Sequence, residues 1–202
     1  MLLSVLLMSV ISFGQKTSFG IKAGVQSNTF VLFSEGGGSD TKYFMKKAGF
    51  HAGGMADIKF SENFSIRPEL LFVSKGGILE QSGSKIEFNF LTIDLPINLL
   101  YNYNGFFIGA GPNLSYGLSA KGKSGGDSYD LFEDEGGLGG EFKRFEMGIN
   151  GTLGFRFPNG ITLGANISCG LTDSFDEDSG LPQETNARNN FVGFSVGYFF
   201  GK

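Results

Sequence analysis

Apolar and polar residues alternate along this chain with a period of two. Over residues 18–28 the odd positions are Phe19, Ile21, Ala23 and Val25, and the even ones Ser18, Gly20, Lys22, Gly24, Gln26 and Asn28. Strict alternation marks a strand with two unlike faces. The pattern recurs over residues 49–60, 64–75, 91–101, 106–116, 145–157, 161–171 and 192–200. Each run is about ten residues or longer, against about five or six for an average globular strand. A tilted strand crosses a bilayer in about 9–11 residues. The connections alternate too. Long loops are expected at 29–48, 76–87, 119–143 and 172–189, and tight turns at 61–63, Asn104-Gly105 and 158–160. Asn-Gly is a strong signal for a two-residue hairpin.

Composition decides which face meets lipid. The 202 residues include 33 Gly and 23 Phe, only 18% are charged, and the mean hydropathy is +0.01. Much of the glycine falls on the polar face, where a solvent-facing sheet gains nothing from it. Inside an eight-stranded barrel the interior is just wide enough for side chains to fill, so Gly and Ser make room there for Arg, Lys and Glu. The apolar face is rich in Phe, Ile and Leu, with Tyr101, Tyr103, Tyr116 and Tyr198 at strand ends. The expected fold is therefore all-β: an eight-stranded antiparallel up-and-down transmembrane β-barrel. A soluble lipocalin-like barrel, with an apolar lumen, is the alternative. Residues 2–13 form an apolar run too short to span a bilayer as a helix. Residues 1–15 read as a signal peptide, although no Lys or Arg precedes the run, and residues 16–202 as the barrel domain. A net charge of −4 argues against a nucleic-acid partner, and one Cys and one His exclude a disulfide framework or zinc-finger site.

The same parity places charges inward. Lys22, Asp57, Lys59, Arg67, Glu69, Lys75, Asp94, Arg144, Glu146 and Arg156 form the expected lumen network, with His51 among them. A three-residue turn at 61–63 sets Asp57 opposite Arg67, a favourable cross-strand pair. This network reads as a structural plug; a narrow ion path is the functional alternative. His51 with Asp57 or Ser65 could form a hydrolase set, but His51 points into the lumen, away from lipid substrates. No catalytic residue, cofactor site or metal site is assigned. The third and fourth long loops carry eleven Asp and Glu without EF-hand spacing and read as a solvated acidic surface. The glycine runs at 36–38 and 136–140 lack a phosphate-loop ending, and Cys169 reads as a small filler on the lipid face.

Several stretches resemble the small outer-membrane β-barrel domain family that includes PorT-like proteins. They are Gly20-Ile21-Lys22-Ala23-Gly24-Val25, Gly49-Phe50-His51-Ala52-Gly53, Pro68-Glu69-Leu70-Leu71 with Lys75-Gly76, and Leu95-Pro96-Ile97-Asn98-Leu99. Gly109-Ala110-Gly111-Pro112 and the closing Val196-Gly197-Tyr198-Phe199-Phe200 fit as well. The resemblance implies an outer-membrane location in a Gram-negative cell, contact with outer-membrane lipid and insertion by the barrel-assembly machinery. It also allows an extracellular ligand or partner barrel at the loops, and a link to secretion or assembly. The leading reading is a non-enzymatic structural or binding protein with a plugged lumen. A low-conductance pore and a lipid-modifying enzyme are the alternatives.

Overall fold

The computed structural model describes residues 16–34, 41–81, 84–124, 126–132, 142–172 and 185–200. The expected signal peptide, both glycine runs and most of the acidic loop residues lie outside the described residues. The strands are β1 (Lys16–Ser34), β2 (Thr41–Lys59), β3 (Phe64–Gln81), β4 (Ser84–Tyr103) and β5 (Phe106–Ser124). They continue with β6 (Asp127–Asp130), β7 (Phe145–Arg156), β8 (Ile161–Gly170) and β9 (Thr185–Phe200). The sheet runs in the order β4-β3-β2-β1-β9-β8-β7-β5-β6, and pairing of β4 with β5 closes it. Eight strands thus form the ring, and the four-residue β6 adjoins the upper part of β5. Closure removes the exposed edges that an open sheet would present.

The expected alternation holds around the ring. Phe19, Ile21, Val25, Phe50, Leu70, Ile108, Leu153, Phe194 and their outward neighbours are exposed, while Asp57, Arg67, Glu69, Asp94, Asn98 and Asn150 are buried inside. Aromatic rings gather at the turn end of the wall. Phe64 meets Tyr101 at 5.4 Å between centroids, Phe106 meets Phe155 at 4.7 Å, and Tyr198 meets Phe200 at 5.6 Å. The three tight turns form as expected. Asn104 and Gly105 take φ of 49° and 87°, the doubly positive pair that a type I′ hairpin demands. Gly160, at φ 90°, donates its N–H to the Phe157 carbonyl at 3.0 Å.

Three of the expected long loops are shorter than their sequence suggests. Most of 29–48 is strand, with β1 and β2 paired up to Ser34 and Thr41. Most of 76–87 is strand as well, paired up to Gln81 and Ser84. In the third, β5 runs on to Ser124 and β6 follows. These extensions carry the wall beyond the apolar belt into water, where the outward face has no need of apolar residues and the period-two contrast fades. A bulge also intervenes. Leu91 pairs Ser119 while Thr92 pairs Gly117, so Leu118 is the extra residue and inward parity passes to Ala120, which is fully buried.

Candidate functional site

The lumen is filled at successive levels, and each level answers to the register of the strands around it. At the turn end the three-residue connection holds β2 and β3 so that Arg67 Nη2 donates to Asp57 Oδ2 at 3.0 Å. Arg156 Nη1 lies 3.6 Å from the same oxygen. Inward-facing rings complete this level: Phe107 lies 4.3 Å below the Arg67 guanidinium and Phe199 lies 4.1 Å from that of Arg156. Leu100, with no exposure at all, packs at the same end of β4. The lumen is thus more apolar at this end than the polar face of the alternation implies. Phe107 and Phe199 each sit beside an outward Phe, so both faces read as apolar there.

The middle level is polar. Lys22 Nζ bonds Glu69 Oε2 at 2.7 Å and Asn166 Oδ1 at 3.0 Å, and Asn166 Nδ2 donates to Ser195 Oγ at 3.1 Å. Lys75 Nζ lies 2.9 Å from Asp94 Oδ2. The Asp94 carboxylate also accepts from Thr92 Oγ1 at 2.7 Å, Ser115 Oγ at 2.6 Å and Asn113 Nδ2 at 3.2 Å. His51 is 2% exposed, with Nδ1 2.9 Å from Gln26 Oε1. It fits because Gly24 faces it: a Cβ there would come within 2.6 Å of the imidazole. The structure does not bring His51 together with Asp57 or Ser65, since Asp57 serves the two arginines and the Ser65 hydroxyl accepts from Asn102. A void of about 10 Å³ remains between Lys22, His51, Glu69, Asp94, Asn113 and Asn150. That is room for about one water molecule, not a conduit.

The mouth is closed by apolar groups. Phe30, Met45, Phe90, Ala120, Leu131 and Phe142 form one buried cluster, with Leu79, Phe88 and Phe132 against it. Phe30 stacks on Phe88 and Phe90 at 6.1 and 6.0 Å, and Phe142 packs on Phe90 at 5.3 Å. The described ends of the third loop are tied to the wall and to each other by backbone bonds: Leu131 N–H donates to Ala120 O at 2.9 Å and Phe142 N–H to Leu131 O at 3.1 Å. Above the His51–Val73 pair the β2–β3 ladder ends. The Ser74 carbonyl instead accepts from Gln26 Nε2 at 3.4 Å and Asn28 Nδ2 at 3.3 Å, two inward-facing side chains of β1. The β3–β4 hairpin therefore leans across the inner face of β1 and β2, and Lys47 of β2 reaches Glu87 of β4 at 2.6 Å. The Lys47 ammonium holds the Glu87 carboxyl below the usual glutamate range.

Of the residues placed inside from sequence, Lys22, His51, Asp57, Arg67, Glu69, Lys75 and Asp94 are brought into this filling, and Arg156 borders it. Glu146 lies half-buried and accepts from Asn189 Nδ2 at 3.0 Å. Lys59 is half-buried near the turn end, without an ion-pair partner among the described residues. Arg144 is a correction. It is exposed at the rim, where its guanidinium lies 4.2 Å from the Phe132 ring; its inward parity ends where β7 begins. The apolar mouth cluster was not foreseen, because most of its members, Phe30, Met45, Ala120, Leu131 and Phe142, fall in segments expected to be loops.

Residues 13–176 match the family model described as outer membrane protein β-barrel domain. The chain belongs to that family. Among solved structures, Neisserial surface protein A is similar over 92% of this chain and 99% of its own, at 13% identity and a TM-score of 0.57. Ail, the attachment invasion locus protein of Yersinia pestis, solved with a heparin analogue, covers the same shares at 15% identity and a TM-score of 0.51. These likenesses are of fold. No curated protein matches the sequence. The barrel is thus an outer-membrane one in a Gram-negative cell; barrels of this kind keep their tight turns on the periplasmic side and their longer loops outside.

Proposed function

We propose that this outer-membrane barrel is a non-enzymatic structural or binding protein with a sealed lumen, acting at its extracellular rim. The observation that supports this is the filling itself. Ion pairs occupy the lumen at two levels and an apolar cluster caps the mouth. An occupied, charge-paired interior supports a sealed lumen over a transport path, and the extended β1–β2 and β3–β4 hairpins lift a platform outside the bilayer. A ligand or a partner barrel, including one of a secretion or assembly system, would meet that platform.

Planar-bilayer recording tests the seal. Purified monomer is expected to give no steady ohmic channel, and steady currents abolished by filling the lumen would establish the pore reading instead. Lipase and acyl-transfer assays test the enzymatic alternative with His51→Ala as the control. No His51-dependent turnover is expected, since the imidazole is enclosed by Gln26 and the β1 backbone; such turnover would overturn the reading.

A further inference from the structure

The ring of strands is paired on every side at the turn end but not at the mouth. β2 is paired with β1 along its whole length, from Lys59 up to Thr41. Its pairing with β3 stops at His51–Val73. Above that point β3 leaves the wall. A Cβ at Gly49 would run into the Ser74 carbonyl, and one at Gly77 would come within 2.6 Å of Met45 Cβ. The β3 backbone therefore lies against the inner face of β2 and not beside it. It is held there from within: the Ser74 carbonyl accepts from Gln26 and Asn28, and Lys47 crosses to Glu87. Among the described residues, no backbone group pairs with the far edge of β2 over residues 41–50.

Half of the N–H and C=O groups of an antiparallel strand turn to each side, so about five residues offer theirs along this edge. Unpaired backbone is not tolerated in hydrocarbon. Phe50, exposed in the apolar belt, marks the foot of the stretch, and the residues above it rise into water. An open edge of this length in water is a template for the addition of another strand.

Charge selects the occupant. Residues 41–50 include Lys42, Lys46 and Lys47 and no acid. Lys47 is engaged by Glu87, whereas Lys46 is exposed on the outward face with Ala48 and Phe50. Two barrels in one membrane present β2 in the same direction. Pairing of two copies in register would set Lys46 beside Lys46, and like charges opposite each other are unfavourable. Edge lysines oppose association between like edges in just this way. A strand carrying an acid at that place gains a cross-strand ion pair instead.

We infer that this edge is a docking site for an extended acidic segment of a partner protein, added to the wall as a strand beside β2 with a Glu or Asp against Lys46. The inference rests on the proposed role as a binding protein at the extracellular rim, and names the contact.

The test uses the folded barrel in detergent and a capped peptide of about ten residues alternating Thr and Glu. A second peptide has Lys for Glu, and a third is the Thr-Glu sequence N-methylated at every residue, which removes its backbone donors. One Thr-Glu peptide is expected to bind per barrel and to slow hydrogen exchange of the amides in 41–50. Lys46→Glu should weaken that peptide about fivefold and accept the Lys peptide in its place. Lys121→Glu, the same charge change on a strand paired on both sides, should leave binding unaltered. Unslowed exchange in 41–50, or equal affinity in wild type and Lys46→Glu, overturns the site. Equal binding of the N-methylated peptide overturns strand addition. Amides of 41–50 already protected in the free barrel, with a dimer in sedimentation, would give the edge to a second copy and overturn the acidic partner. Bilayer recording separates this result from the wider reading. A silent barrel that refuses the peptide removes the edge alone, and a conducting barrel that takes it removes the seal alone.

Discussion

Asp94 shows what a charge requires inside a narrow barrel. Four side chains, Lys75, Thr92, Asn113 and Ser115, converge on its two oxygens. Removing one partner of a buried pair leaves the other uncompensated, at about 3–5 kcal/mol. Asp94→Asn should therefore destabilise the barrel by about that amount in urea unfolding from micelles, whereas Lys75→Met with Asp94→Leu should recover most of the loss. A cost below about 1 kcal/mol for Asp94→Asn would show that the pair is not isolated from water. Glu87 behaves differently because it sits outside the bilayer. Its pKa is lowered by the Lys47 hydrogen bond from an ordinary 4.5. A depressed carboxylate contributes stability above its unfolded value and loses it as pH falls through the folded one. The Lys47 contact should hold at neutral pH and release in acid below 4.5, and Lys47→Gln should move the Glu87 midpoint upward in an NMR titration. At this scale the Asp57–Arg67 pair was legible, since a three-residue turn dictates which residues face each other. The rings over Arg67 and Arg156 were not, because Phe106-Phe107 and Phe199-Phe200 give both faces the same character.

Among the elements, the tight turns were the most legible and the strand tops the least. Asn104-Gly105 takes the backbone that the residue pair prefers, and Gly105 at φ 87° tolerates a Cβ poorly. Gly105→Ala is expected to cost about 1–2 kcal/mol, read as an earlier urea midpoint with unchanged slope. The upper halves of β1 to β5 escaped notice for a different reason. Alternation is visible only while one face meets lipid and the other the lumen. Above the belt both faces contact water or the mouth cluster, so Phe30, Val31 and the lysines near Met45 follow no period. The bulge at Leu118 adds a change of parity that no local propensity announces.

For the whole molecule, the filled lumen and the capped mouth are separable devices. Phe30→Ala removes the ring that stacks on Phe88, Phe90 and Phe142. Truncating a buried Phe costs about 3–5 kcal/mol, spent here on the cap and not on the ring of strands. The Leu131 and Phe142 amides should then exchange faster with deuterium, while bilayer conductance stays at baseline because the ion pairs beneath remain. Current appearing in Phe30→Ala would make the cap the true seal.

The alternation by itself determined a closed antiparallel barrel with its Phe, Ile and Leu turned to lipid and its charges turned inward. Strand parity is a local property, and a bilayer imposes a contrast along every strand that crosses it. Only the tertiary structure decided which charges pair, where aromatic rings line the lumen, and that Phe30, Phe90, Leu131 and Phe142 meet at the mouth. Those relations join residues remote in the chain, through a ring whose closure, stagger and bulge are set by all eight strands together.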